Sequence, residues 1–156
     1  MVIMREEGIS KIEVHVAGIC LMKKDNAYNV LIAKRSSKRN LYPSFWECGG
    51  GQVNIGENFE EAVKRQLREE LGVIVEVLCP VGTYEIPVKT EQKKIPGMRF
   101  VCKVLGFVVK KPRFDKKEFT ECRWIPIKDV DKYKFIPGIK ESIKEVVHIL
   151  GLSRMC

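Results

Sequence analysis

The side chains best suited to chemistry crowd into one stretch between residues 50 and 70. Glu69 and Glu70 adjoin in a segment whose apolar spacing predicts a helix, and at about 100° per residue they share with Gln66 a sector of about 100°. That sector overlaps an apolar ridge carried by Phe59 and Val63. Carboxylates at a core-facing border repel each other and resist desolvation, so a cation is their natural complement. Glu57, in the turn just ahead, adds a third acid. Oxygen donors without imidazole or thiolate point to a hard ion, Mg²⁺ or Mn²⁺, which also bridges phosphate oxygens. The same residues would serve an ordinary amphipathic helix if Glu61, Arg65 and Glu69 paired with one another at i, i+4 spacing. The glycine-rich turn before the helix favours the metal, because its backbone carbonyls and amides can approach the same ion or phosphate.

Positioning these groups takes a firm helix and a sharp turn. Phe45-Trp46 lead into Gly49, Gly50 and Gly51, with Gly56 following, a density that marks a backbone turning tightly or approaching a ligand. Asn58 can cap the helix, Glu61 stands in capping-box position, the first turn is acidic and Gly72 supplies the stop. Phe59, Val63, Leu67 and Leu71 form its apolar ridge. Upstream, Ile12, Val14 and Val16 alternate with polar neighbours from Lys11, and both faces turn apolar as far as Met22. Lys24-Asp25-Asn26 then turns this central strand into a second apolar run, Val30 to Ala33, so a hairpin is expected. Beyond Gly72 the expected strands are Val73 to Leu78, Thr83 to Ile86, Phe100 to Val109 and Cys122 to Ile127, with Pro87 to Gly97 as an exposed loop. A last helix is bounded by Pro137-Gly138 and Gly151, with Ile139, Ile143, Val146, Val147 and Leu150 on one face. Strands with one helix among them and another at the end suggest an α/β fold, a mixed sheet between helices in a single domain over residues 1–156.

Composition sets outer limits. A chain of 156 residues, 45% hydrophobic and 31% charged, is a globular composition, long enough to bury about 70% of its unfolded surface. The net charge of +8 attracts polyanions, whether nucleotide phosphates, RNA or acidic membranes, without choosing among them. The basic clusters KRSSKR at 34–39 and KKPRFDKK at 110–117 read as solvated loop surface, since neither interleaves aromatics as a base-stacking platform does. Cys20, Cys48, Cys79, Cys102, Cys122 and Cys156 stand singly, and no apolar leader follows MVIMREEGIS, which fits reduced thiols in a cytoplasm. No apolar run is long enough to cross a bilayer, so no membrane partner is expected. His15 and His148 read as structural or surface residues, and no serine or cysteine stands beside a base as a nucleophile would.

The segment GQVNIGENFEEAVKRQLREELGV, Gly51 to Val73, resembles the Nudix box: Gly, five residues, Glu, seven residues, Arg-Glu, an aliphatic, any residue, Glu-Glu, any residue, Gly and an aliphatic. Gly51, Glu57, Arg65, Leu67, Glu69, Glu70, Gly72 and Val73 match, and fixed gaps over so long a pattern make the signal specific. Trp46-Glu47 and the strand Arg123-Trp124-Ile125-Pro126 are also similar to the family. The resemblance implies an α/β/α sandwich and hydrolysis of a nucleoside diphosphate linked to another group X, by attack of water at phosphorus. By position, it implies that Glu69 and Glu70 ligate Mg²⁺ with the Gly50 carbonyl and Glu57 assisting, and that Arg65 orients a carboxylate. It further implies an acid from a late loop, for which Glu118 is the candidate and Glu121 the reserve. Pairing into a homodimer is another family habit. An isopentenyl-diphosphate isomerase, on a related fold, would need a histidine-rich metal site that two histidines do not supply.

One position departs from the pattern. The family has glutamate directly after the arginine, where this chain has Gln66. An amide can lend a carbonyl oxygen to a metal or water, but it accepts no proton; if that side chain were the general base, its loss would forfeit on the order of 10² to 10⁴ in rate. Either another carboxylate such as Glu118 is the base, or the enzyme is slow, or the fold only binds a nucleotide or RNA. Retention of both Glu69 and Glu70 favours the first.

Overall fold

The computed structural model describes residues 12–88, 90, 91, 93–109 and 114–152. In chain order its elements are β1 (His15–Lys24), β2 (Ala27–Arg35), β3 (Trp46–Glu47), β4 (Gly50–Gln52), α1 (Phe59–Leu71), β5 (Val73–Val88), β6 (Lys93–Phe107), β7 (Phe119–Pro126), a 3-10 turn (Ile127–Lys132) and α2 (Ile139–Leu152). Asp25 and Asn26, at φ 49° and 59°, make the two-residue turn that suits the twist of the expected β1–β2 hairpin. β6 runs parallel to β1, while β5 on β6 and β7 on β2 are antiparallel, so the sheet is mixed. β1 and β2 pair only from Leu21–Lys24 with Ala27–Val30. Where they part, β2 takes β3 as partner and β1 takes β4. This fork seats the glycine turn.

Side chains alternate across the sheet with the period of two that strands impose. Val16, Cys20, Leu31, Ala33, Phe100 and Cys102 point to one face and pack with Ala62, Val63, Leu67 and Leu71 of α1. Ile19, Leu21, Val30, Ile32 and Val101 point to the other and meet Ile127, Val130, Ile139, Ile143 and Val146. Each fully buried aliphatic side chain contributes about 1.5–3 kcal/mol by area. With α1 on one face and α2 on the other, the architecture is the expected α/β/α sandwich.

Several local expectations need correction. Pro87 to Gly97 is no exposed loop: β5 and β6 continue through it as a hairpin, paired from Tyr84 with Gly97 to Val88 with Lys93. Val73–Leu78 and Thr83–Ile86 are one strand, bent by irregularities near Val77–Cys79 and Pro80–Gly82. β6 accordingly starts at Lys93 rather than Phe100 and ends at Phe107, and β7 begins at Phe119 rather than Cys122. β1 begins at His15, and Ile12 is 77% exposed, outside the inward set. Val147 faces solvent on α2. The cluster at 34–39 is not all solvated surface, because Arg35 is buried and Arg39 half-buried, each ion-paired. The segment 1–11, residues 110–113 of the second cluster and Cys156 lie outside the described residues.

Candidate active site

The helix entry follows its local chemistry. Asn58, at φ −85° and ψ 173°, accepts the Glu61 backbone N–H at 2.8 Å, while the Glu61 carboxylate accepts the Asn58 N–H at 2.9 Å. That reciprocal pair satisfies two amide groups that a bare helix start leaves open. Gly72, in the left-handed region at φ 64°, closes the other end through its N–H to the Arg68 and Leu67 carbonyls. The glycine turn lies flat on α1: a Cβ on Gly49, itself at φ 57°, would fall 2.8 Å from Leu71, and one on Gly51 would fall 2.4 Å from the Gln66 amide.

Arg65 gathers the first group of oxygens. Its guanidinium grips Glu57 through both ends, Nε donating to Oε1 at 2.5 Å and Nη2 to Oε2 at 2.9 Å. The same fork donates to the Gln52 carbonyl at 2.9 Å and to Glu69 at 3.3 Å. Glu57 also accepts from the Asn54 N–H, and the Arg65 and Asn54 hydrogen bonds hold its carboxyl below the usual carboxylate range. Gln66 Nε2 donates to the Gln52 carbonyl at 3.2 Å. Glu69 stands at the solvent edge with a 62% exposed side chain.

Glu70 turns inward instead. One oxygen accepts the Gly50 N–H at 3.2 Å, and burial pushes the carboxyl up to about 7, the effect outweighing that hydrogen bond. Among the described residues no cation sits at ion-pair distance from it. Glu118, the late acid, is ion-paired with Arg39, and Arg39 is in electrostatic reach of Glu70. Glu121, the reserve, pairs with its near neighbour Arg123. A further acid that the sequence left unassigned, Glu47, has a 14% exposed side chain ion-paired with Arg35 and is felt electrostatically by Glu70. Burial raises its carboxyl despite that arginine. The only signal for it was its place in Trp46-Glu47, directly before the glycines.

The thiol of Cys48 beside the turn is buried and pushed up to about 12 by desolvation, which suits a core position rather than a nucleophile. His15 is half-buried on β1 against Glu13, and His148 is exposed on α2. Donors at the site are therefore carboxylate and carbonyl oxygens. Among the described residues no three His, Cys, Asp or Glu side chains are gathered closely enough to hold a metal ion between them. A hard divalent ion fits this set: Glu70 is desolvated and uncompensated, and Mg²⁺ is ordinarily held by one or two carboxylates with waters and phosphate oxygens completing its shell. Next to Glu69 runs an open groove of about 570 Å³ whose walls include Arg68, Val108, Val109, Phe114 and Lys116. Backbone hydrogen bonds from Val108 to Gly72 and from Asp115 to Glu70 tie both its banks to the end of α1. No helix among the described residues is long and apolar enough to cross a membrane.

The chain has counterparts among known proteins. A nucleoside triphosphatase NudI of Escherichia coli O17:K52:H18 is 28% identical over 133 residues, covering 80% of this chain and 90% of that protein. An Ap4A hydrolase of C. elegans, solved as a binary complex, superposes with a TM-score of 0.73 at 15% identity over 90% of this chain and 98% of that one. The NUDIX domain of Shewanella oneidensis NrtR, complexed with ADP ribose, gives 0.69 at 16% identity over 90% of each chain. At such identities the superpositions speak for the fold alone. Residues 13–146 match the family model described as NUDIX domain. With the box laid out along α1 and most of its length matched, the chain belongs to the Nudix family and is a pyrophosphohydrolase of that type.

Proposed function

We propose that residues 1–156 form a single-domain Mg²⁺-dependent hydrolase, Mn²⁺ being the alternative ion, that splits the diphosphate linkage of a nucleoside diphosphate joined to another group X. The observation that carries this reading is Glu70, a desolvated carboxylate hydrogen-bonded to the glycine turn and lacking a cationic partner among the described residues. Relatives named for nucleoside triphosphates and Ap4A, and one bound to ADP ribose, support a nucleotide with linked phosphates as the substrate class.

When bound, a divalent ion supplies charge for the phosphate oxygens and lowers the pKa of an attacking water. Glu69 and Glu70 would hold it, with the Gly50 carbonyl and Glu57 assisting. Arg65 fixes Glu57 and Glu69 in orientation, a pre-organisation that spares the site reordering when charge builds up. Glu118, steadied by Arg39, would accept the proton from water. The groove along Glu69, apolar at Val108, Val109 and Phe114 and balanced in charge between Arg68 and Lys116 and the acids Glu69 and Asp115, suits the nucleoside, whose phosphates would reach toward the ion.

The test is release of phosphate or nucleotide from a panel of dinucleoside polyphosphates, nucleotide sugars and nucleoside triphosphates. Turnover should require Mg²⁺, vanish with EDTA and fall by about 10²-fold or more in Glu70→Gln. If the wild-type chain turns over nothing on the panel with either ion, the hydrolase reading is wrong and nucleotide binding without turnover takes its place.

A further inference from the structure

The amide of Gln66 occupies a position that a carboxylate could not take unchanged. Its Nε2 donates to the Gln52 carbonyl at 3.2 Å, and its head group covers Gly51 so closely that any Cβ there would overlap it, at 2.4 Å from the nitrogen and 2.8 Å from the oxygen. Arg65 donates to the same carbonyl at 2.9 Å. Two neighbouring residues of α1 thus fasten one carbonyl of β4, the strand that also presents Gly50 to Glu70. A glutamate at 66 would set an acceptor against that acceptor. It would have to swing away or draw Arg65 off Glu57, since both donors meet at one oxygen.

We infer that Gln66 is a positioning residue, an amide latch that holds the Gly50–Gln52 strand at a fixed distance from Glu69 and Glu70, and not a catalytic base that has lost its proton-accepting group. The base lies elsewhere, and restoring glutamate at 66 restores nothing. This inference rests on the hydrolase reading for its kinetic consequences; the latch itself can be tested without turnover.

The first experiment is thermal unfolding of metal-free wild type, Gln66→Ala, Gly51→Ala and the double variant. Gly51 is not among the glycines with a left-handed φ, and the three atoms nearest to an added Cβ there all belong to the Gln66 amide. Gly51→Ala alone should lower Tm by about 2–4 °C by displacing the latch and losing its hydrogen bond, and should be near neutral once Gln66 is alanine. Strictly additive shifts would show that the two residues do not bear on each other and would overturn the latch.

The second experiment is kinetic, using Gln66→Met, which keeps the shape without the donor, and Gln66→Glu. Both should lower kcat about tenfold and raise the Mg²⁺ needed for half-maximal rate, with KM for substrate within about twofold, as for residues that orient metal ligands. A gain of tenfold or more in kcat for Gln66→Glu with unchanged Tm would overturn the inference in favour of a lost base. If wild type shows no turnover, the hydrolase reading fails while the thermal cycle still decides the latch.

Discussion

Glu70 is the side chain whose surroundings are least comfortable. Burial raises its carboxyl from 4.5 to about 7, so between those values the folded, metal-free chain keeps a proton that the unfolded chain has released. By linkage, stability is full below the lower value and is lost as pH rises through the upper one. The difference amounts to about 3 kcal/mol at 1.36 kcal/mol per unit. In EDTA, Tm should therefore fall between pH 4.5 and 7.5, the fall should be much shallower in Glu70→Gln, and Mg²⁺ should raise Tm more at pH 7.5 than at pH 5. Parallel curves for wild type and variant would remove Glu70 as the cause. The Arg35–Glu47 pair makes a complementary case. Both side chains are largely buried, at 9% and 14% exposure, so Arg35→Met strands a carboxylate and should cost about 3–5 kcal/mol by chemical denaturation. Arg35→Met with Glu47→Leu should recover most of that loss; a double variant as unstable as the single would mean the arginine acts through packing alone.

At the scale of elements, α1 ties the site together because its start is fixed by its own side chains. Asn58→Ala removes an acceptor from the capping box and should cost about 1 kcal/mol, a Tm drop of about 2–4 °C, with a smaller effect in Asn58→Ser. This helix was readable from sequence for the same reason: cap, ridge and stop are all local. The Arg65 clamp was readable in part, since its spacing to Glu69 is helical, whereas its grip on Glu57 and Gln52 depends on how the turn folds back. The hairpin over 87–97 was misread because Pro87, Pro96, Gly97 and three lysines imitate a loop. Their placement explains why a strand tolerates them: Pro87 lies on the edge strand β5, and Pro96 lies just before Gly97, where pairing of β6 with β1 begins. Glu47 was missed because nothing local marks a carboxylate for burial; only the fork between β1 and β2 encloses it.

For the molecule as a whole, the charge of +8 is a long-range attraction for polyphosphates. KM should rise with added salt more steeply for a dinucleoside tetraphosphate than for a diphosphate sugar, as screening shortens to about 8 Å at 0.15 M ionic strength. Equal slopes would confine recognition to contacts at the site. The parallel seam between β1 and β6 has another consequence. It sets residues 15–21 beside residues 97–103, so the middle of the sheet cannot close until residue 103 of a nascent chain has emerged. During synthesis α1 is already out and can rest on β1 and β4, but without Phe100 and Cys102 of β6 its core is unfinished. A ribosome stalled before residue 97 should therefore hold a chain that proteases cut readily, and one stalled far enough past residue 126 to clear the exit tunnel should hold a resistant one.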